Sequence, residues 1–230
     1  MKSYQKLSDD NHPAVQTKAS ELASGKATTR EKLESIFLFV RDGIPFGFPS
    51  KWDEVKASET LAYGLGYCST KATLFVALCR AAGIPARIHA ALINLEIMRG
   101  IFPEFAFQSL PKAGGHAWSE VEIDGAWMPV DSYITDKPFF EGALKRLEDS
   151  GAVTKFGISI AKGPVSCEFN FGEKGFTQMG GVVEDHGTWP DYSDYMASDK
   201  YLELKGVQLW MFLRVLRRIA NSNIRDIRSS

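Results

Sequence analysis

Asp124-Gly125 lies between two runs that alternate apolar and polar residues, 116–123 and 126–131, and this arrangement leaves the chain few choices. Asp-Gly is a strong hairpin signal, because both central positions of the tight turn need positive φ. A two-residue loop sets the register. Ile123 then faces Ala126, Glu122 faces Trp127, Val121 faces Met128 and Trp118 faces Asp131. Residues directly opposite share a face, and so do residues two apart on one strand. His116 and Asp131 become diagonal neighbours on one face, with Cβ atoms roughly 7 Å apart. A carboxylate at that distance can hold an imidazole in one tautomer and stabilise its protonated form.

The stretch Gly66-Tyr67-Cys68-Ser69-Thr70-Lys71-Ala72-Thr73-Leu74-Phe75 reads as a loop that breaks into a buried helix, with Cys68 at the break. The first turn of a helix presents unpaired N–H groups and a partial positive charge. A thiol there is expected to lose its proton more readily, and the thiolate is the nucleophile. Ala72, Phe75, Val76 and Cys79 share the inner face, Gly83 stops the helix and Ile84-Pro85 prevents a restart. If the His116 face packs against the start of this helix, Cys68, His116 and Asp131 complete a nucleophile, base and orienting carboxylate.

Around these two segments the chain reads as follows. Residues 1–12 look polar and frayed. Pro13 opens a short helix to Gly25, and Thr28 with Glu31 caps a core helix bearing Leu33, Ile36, Phe37 and Val40 up to Gly43. Residues 44–67 are loop-like, with Trp52 and Tyr63 their large side chains, and 86–93 alternate as a strand. A long connection, 94–114, carries Ile101, Phe102, Phe105 and Phe107, which either line a substrate groove or cover the core. Asp136 and Pro138 open a helix with Phe140, Leu144 and Leu147 inward. Residues 151–198 read as short strands and loops. A last helix runs from about Tyr201 to Asn221 with Leu202, Trp210, Leu213 and Leu216 apolar.

Composition excludes several classes. A net charge of −1 makes no case for nucleic acid. No apolar run is long enough for a membrane span, no signal peptide is visible, and the cytoplasm is the expected location. The three cysteines cannot all pair, and nothing has zinc-type or HExxH spacing, so neither metal nor cofactor is expected. Cys79 reads as core, His89 as a satisfied structural histidine, His186 as a solvated loop histidine, and Cys167 takes no role. The arginines of the last helix read as a solvated face. No oligomeric state follows.

Tyr67-Cys68 through Arg80-Ala-Ala-Gly-Ile-Pro-Ala-Arg87 resembles the nucleophile helix of the transglutaminase-like superfamily. Gly115-His116-Ala117-Trp118 through Trp127-Met-Pro-Val-Asp131 resembles its His and Asp segments, in the same order. The resemblance covers about residues 30–135. It implies an α+β, papain-like transglutaminase core, with the nucleophile at the start of a central helix packed on an antiparallel sheet. It also implies a Cys68-His116-Asp131 triad that forms a thioester from a peptide, protein or small amide substrate. In related enzymes an oxyanion donor lies upstream of the cysteine. Trp52 or Tyr63 is the corresponding candidate here, and Trp118 is a further substrate contact. The expected organisation is one domain over 1–230, with 136–230 a C-terminal extension. Hydrolysis is preferred to amine transfer because no amine site is visible. Two other classes compete. An acyl-CoA-dependent N-acyltransferase needs a phosphate cradle or basic cluster, and none is visible. A catalytically inactive binding module needs an unreactive Cys68.

Overall fold

The computed structural model describes residues 4–108, 110–171 and 176–230. Residues 1–3, Ser109 and 172–175, which fall in the N-terminal stretch, the long connection and the 151–198 region, lie outside the described residues. The N-terminal part is helical: α1 (Pro13–Ala23), α2 (Thr29–Leu38), a π-helical turn Phe39–Gly43, α3 (Ala57–Tyr63) and α4 (Cys68–Ala81). Then come β1 (Ala86–Asn94), a 3-10 turn Leu95–Met98, the short α5 (Glu104–Phe107), and the hairpin β2 (Ala113–Ile123) and β3 (Ala126–Val130). The extension holds α6 (Lys137–Ser150), β4 (Thr154–Lys155), β5 (Ile158–Ser159), β6 (Val182–Trp189), α7 (Tyr192–Met196), α8 (Gly206–Met211), a π-helical turn Phe212–Leu216 and α9 (Arg217–Arg228).

Local signals account for many of the helix ends. Glu31 accepts from the Thr28 N–H at 2.8 Å while Thr28 Oγ1 accepts from the Glu31 N–H at 3.2 Å. At the start of α4 the Thr70 hydroxyl accepts the Tyr67 N–H at 2.9 Å. A Cβ on Gly66 would stand 2.7 Å from that same hydroxyl oxygen, so only glycine lets the loop turn in this tightly. At the far end Gly83 takes φ +79° and the Ile84 N–H returns to the Cys79 carbonyl at 2.8 Å, which closes the last turn.

Helix α4 is the centre of the molecule. Every residue from Ser69 to Cys79 is buried, including Lys71, whose ammonium donates to the Arg41 carbonyl at 3.2 Å and is pushed down to about 7 by burial. The helix packs on a four-stranded antiparallel sheet in the order β3-β2-β1-β6. The hairpin register agrees with the counting above from Ile123↔Ala126 to Val121↔Met128, and the ladder ends at Ser119↔Val130. Asp124 at φ 52° and Gly125 at φ 80° make the turn.

Several readings need correction. The helix body packs on the Ala117, Ser119 and Val121 face of β2, with the Ser119 hydroxyl donating to the Ala72 carbonyl at 3.4 Å. His116 and Trp118 lie on the opposite face. The N-terminal stretch is not frayed: the Leu7 and Ser8 N–H groups donate to the Asp191 carboxylate at 3.0 and 2.9 Å, and both residues are buried. The 44–67 loop contains α3, and β6 is a full partner of β1 where only short pieces were foreseen. His186 lies in that strand, buried against the Tyr195 hydroxyl at 3.0 Å, so it is not a solvated loop histidine. The last helical stretch begins at Gly206, not Tyr201. Its inward residues are Phe212, Leu216, Ala220, Ile224 and Ile227, while Leu202 and Trp210 are exposed. Leu216 is inward as expected and Leu213 packs partly buried against the core, but Leu202 precedes the helix, which runs past Asn221 to Arg228.

Candidate active site

Cys68 is the first residue of α4, half-buried, and lines a cavity of about 110 Å³. The first turn of α4 meets β2 through backbone: the Ala117 N–H points at the Cys68 sulfur, together with the N–H groups of Cys68 and Ser69. His116, one residue before Ala117, lines the same cavity. His116 therefore shares the cavity with Cys68, although the sheet face it occupies is turned away from the helix body.

The electrostatics differ from the simple helix-terminus expectation. Burial and the nearby Asp53 carboxylate push the Cys68 thiol up to about 12, against the three N–H groups that favour its thiolate. Burial, with the charge of His89 behind it, pushes His116 down to about 3. The resting pair is a neutral thiol beside a neutral imidazole. His116 Nε2 is buried and has no hydrogen-bond partner among the described residues.

Asp131 is fully buried just past β3. Its Oδ1 accepts the Thr177 N–H at 3.2 Å, and the Gln178 N–H also faces the carboxylate. Its Oδ2 is likewise buried without a partner among the described residues, and burial lifts the carboxyl to about 7. His116 Nε2 and Asp131 Oδ2 are thus both buried without a partner among the described residues and share no hydrogen bond, and the β2–β3 ladder ends at Ser119↔Val130, short of the Trp118–Asp131 pair that the register predicts.

The three upstream and flanking candidates separate. Trp52 lines the cavity, stacks on Tyr67 with ring centroids 5.4 Å apart, and has an indole N–H that is buried and unpartnered. Tyr63 ends α3, half-buried, and does not line the cavity. Trp118 does not line it either. Its ring stacks on His89 at 4.1 Å and backs His116 at 5.7 Å. His89 is satisfied, as read, by Glu120 and Asp185, each at 2.7 Å. Cys79 is plain core. Of the connection's aromatics, Phe102 lines the cavity, Phe107 is buried beside Arg99 and Phe105 is exposed.

Asp53 is the residue the sequence reading missed. It accepts from the hydroxyls of Tyr67 at 2.6 Å, Ser69 at 2.8 Å and Tyr201 at 2.7 Å, with Tyr192 also hydrogen-bonded. Those donors flank Cys68 on one side and belong to the extension on the other. An acid next to Trp52 in a loop was the only local signal, and its partners up to 148 positions away gave none. Gln178, Tyr192 and Leu202 of the extension also line the cavity. Among the described residues no three His, Cys, Asp or Glu side chains converge to hold a metal, and no helix is long and apolar enough to cross a membrane.

No curated protein matches the chain. Two solved structures resemble it. A chain from Cytophaga hutchinsonii, provisionally assigned as a cysteine protease, is 17% identical over 83% of this chain and 46% of its own, with a TM-score of 0.49. A chain from Parabacteroides distasonis, provisionally assigned as a protease, is 16% identical over 55% of this chain and 24% of its own, with a TM-score of 0.40. The chain therefore spans less than half the length of either. The family model of the transglutaminase-like superfamily matches residues 16–132, just over half of the chain, and includes Cys68, His116 and Asp131. With a cysteine opening the central helix on an antiparallel sheet, the chain belongs to the transglutaminase-like superfamily.

Proposed function

We propose that the protein is a cysteine-dependent acyl-transfer enzyme that attacks an amide carbonyl and passes through a thioester, with hydrolysis as its usual outcome. The observation that carries this reading is a single cavity lined by Cys68, His116 and Trp52, in which the imidazole and indole each keep a buried N atom unpartnered. Unpaired buried polar groups cost free energy and are rarely left without a use.

In this reading neutral His116 takes the thiol proton as the Cys68 sulfur attacks the acyl carbon. With His116 held at about 3 and Cys68 at about 12, transfer of the proton in the resting site is uphill, so in this reading it accompanies attack and follows closure of Asp131 on the imidazole, which raises its basicity. The Trp52 N–H and the backbone N–H of Cys68 receive the oxyanion. The C–N bond then breaks, His116 returns the proton to the leaving amine, and the acyl group stays on sulfur. Water, deprotonated by His116, attacks the thioester and releases the acid and the free thiol. Asp131 orients His116 through Nε2 once the two close to bonding distance. Residues 1–230 act as one domain, since Gln178, Tyr192 and Leu202 complete the cavity.

Hydrolysis is favoured over amine transfer because the cavity's carboxylate, Asp53, already holds its hydroxyl donors and has no free oxygen for an ammonium. The cavity lining contains no Lys or Arg, which disfavours a coenzyme A phosphate site. An inactive binding module is the second reading, and the neutral resting pair with its unmade His116–Asp131 bond favours it. Reaction with a p-nitrophenyl ester decides between them. Release of p-nitrophenolate with an acyl group found on Cys68 by mass spectrometry is expected, slowed about 10²–10⁴-fold in His116→Ala. No acyl-Cys68, or an unchanged rate in that variant, leaves the binding module.

A further inference from the structure

The cavity wall around Cys68 and His116 is apolar. Phe46, Phe48, Phe102, Ile93, Ile97 and Met98 form most of it, and the Phe48 and Phe102 rings stand 5.7 Å apart. The polar side chains at its edge are spent. Asp53 is saturated by hydroxyls, and the Gln178 amide donates to the Gly157 carbonyl at 2.8 Å. Apart from the Trp52 indole and the His116 imidazole, which the proposed reaction itself uses, the described residues of the wall offer no free charged side chain to hold an ammonium or a carboxylate on the substrate. Burying such a group there without a partner is unfavourable, while apolar surface gains from leaving water. The volume of about 110 Å³ approaches the roughly 150 Å³ of an apolar cavity known to take benzene. Leu202, which closes one side, comes from the extension outside the matched family segment.

We infer that this cavity seats the acyl side of the substrate, and that the group entering it is apolar and of phenyl or branched-alkyl size. This assignment rests on the acyl-transfer reading and names its substrate class: an amide whose acyl portion carries an aromatic or branched aliphatic side chain. The extension supplies part of that selectivity through Leu202.

The test uses the full chain and a series of short peptidyl chloromethyl ketones with Phe, Leu, Ala, Lys or Glu next to the reactive carbon. The Cys68 sulfur displaces chloride, a C–S bond forms as the C–Cl bond breaks, and the thiol proton passes to His116. Inactivation rates are read by the mass increment on Cys68. The Phe and Leu reagents are expected to react at least about 10-fold faster than the Ala reagent, at roughly 4-fold per buried methylene. The Lys and Glu reagents fall below Ala. Leu202→Glu, at an exposed position, and Met98→Glu each bring the Phe-to-Ala ratio below about 3. A flat series in the wild type, with iodoacetamide still alkylating Cys68, overturns the apolar site and leaves the nucleophile standing. Failure of every reagent, iodoacetamide included, removes the nucleophile and this assignment together.

Discussion

Two carboxylates flank the Cys68 region, both buried, and they are treated in opposite ways. Asp53 has a hydroxyl on each of its oxygens, from Tyr67, Ser69, Tyr201 and Tyr192. Asp131 has the Thr177 N–H and a long contact from the Ser132 hydroxyl on one oxygen and nothing on the other among the described residues. Burial raises both above the usual carboxylate range. The contrast separates scaffold from chemistry. A saturated carboxylate ties the start of α4 to the extension and has no capacity left for a reaction. A carboxylate with a free oxygen keeps a hydrogen bond in reserve, and in the proposed reaction its partner is the free nitrogen of His116.

The strongest way to break this comparison is Asp131→Asn. The amide oxygen still accepts the Thr177 N–H, but the new NH₂ would meet His116 Nε2 in the proposed reaction and select the wrong tautomer. Turnover is expected to fall about 10³–10⁴-fold, with no loss of stability at neutral pH in urea unfolding. A variant with full activity would make Asp131 a mere structural acid. Trp52→Phe comes next. It keeps an aromatic ring between Tyr67, on which Trp52 stacks, and Phe212, which it meets edge-on, and removes the N–H, so kcat is expected to drop about 10²–10³-fold with KM little changed. An unchanged kcat would send the search for an oxyanion donor back to backbone alone.

Asp53→Ala should act in the other currency. It strands buried hydroxyls on both sides of Cys68, and unfolding free energy is expected to fall by about 3 kcal/mol. Activity would decline with it because Tyr67 and Ser69, on either side of Cys68, lose their anchor. A stable Asp53→Ala variant that is merely inactive would make Asp53 a chemical group and remove the distinction.

The smallest effect is a pH dependence. Asp131 sits at about 7 in the folded chain against roughly 3.9 unfolded. The folded state therefore holds the extra proton between those values, and stability from this group declines as pH rises from 4 to 7. Asp131→Asn lacks that decline, so its stability relative to wild type should improve by on the order of 2 kcal/mol across the interval. Parallel pH profiles of the two proteins would mean that Asp131 is ionised throughout.

Much of this was readable along the chain where the interactions are local. The Thr28–Glu31 cap, the Asp124-Gly125 turn, the Gly83 stop and the Asp136 cap each depend on residues within a few positions. A turn also carries register outward, and the counted pairs hold from Ile123↔Ala126 to Val121↔Met128. The face of β2 that meets α4 was not readable, because Ala117, Ser119 and His116, Trp118 are both buried sets and alternation cannot rank them. β6 was hidden for a related reason: Glu184 and Asp185 look like loop residues until His89 and His186 pair with them. The last helix was begun too early, at 201–205, which proved non-helical.

By itself the sequence determined which segments turn, cap and alternate, and so which residues could serve as nucleophile, base and orienting acid. Those are short-range matters of backbone conformation and side-chain period. Only the tertiary structure decided that Asp53 ties Tyr67 and Ser69, on either side of Cys68, to the extension, that Tyr63 and Trp118 stand off the cavity, and that burial pushes the Cys68 thiol up and the His116 imidazole down. Each of these depends on burial and on partners brought together from distant positions, and neither desolvation nor long-range pairing leaves a periodic trace in the chain.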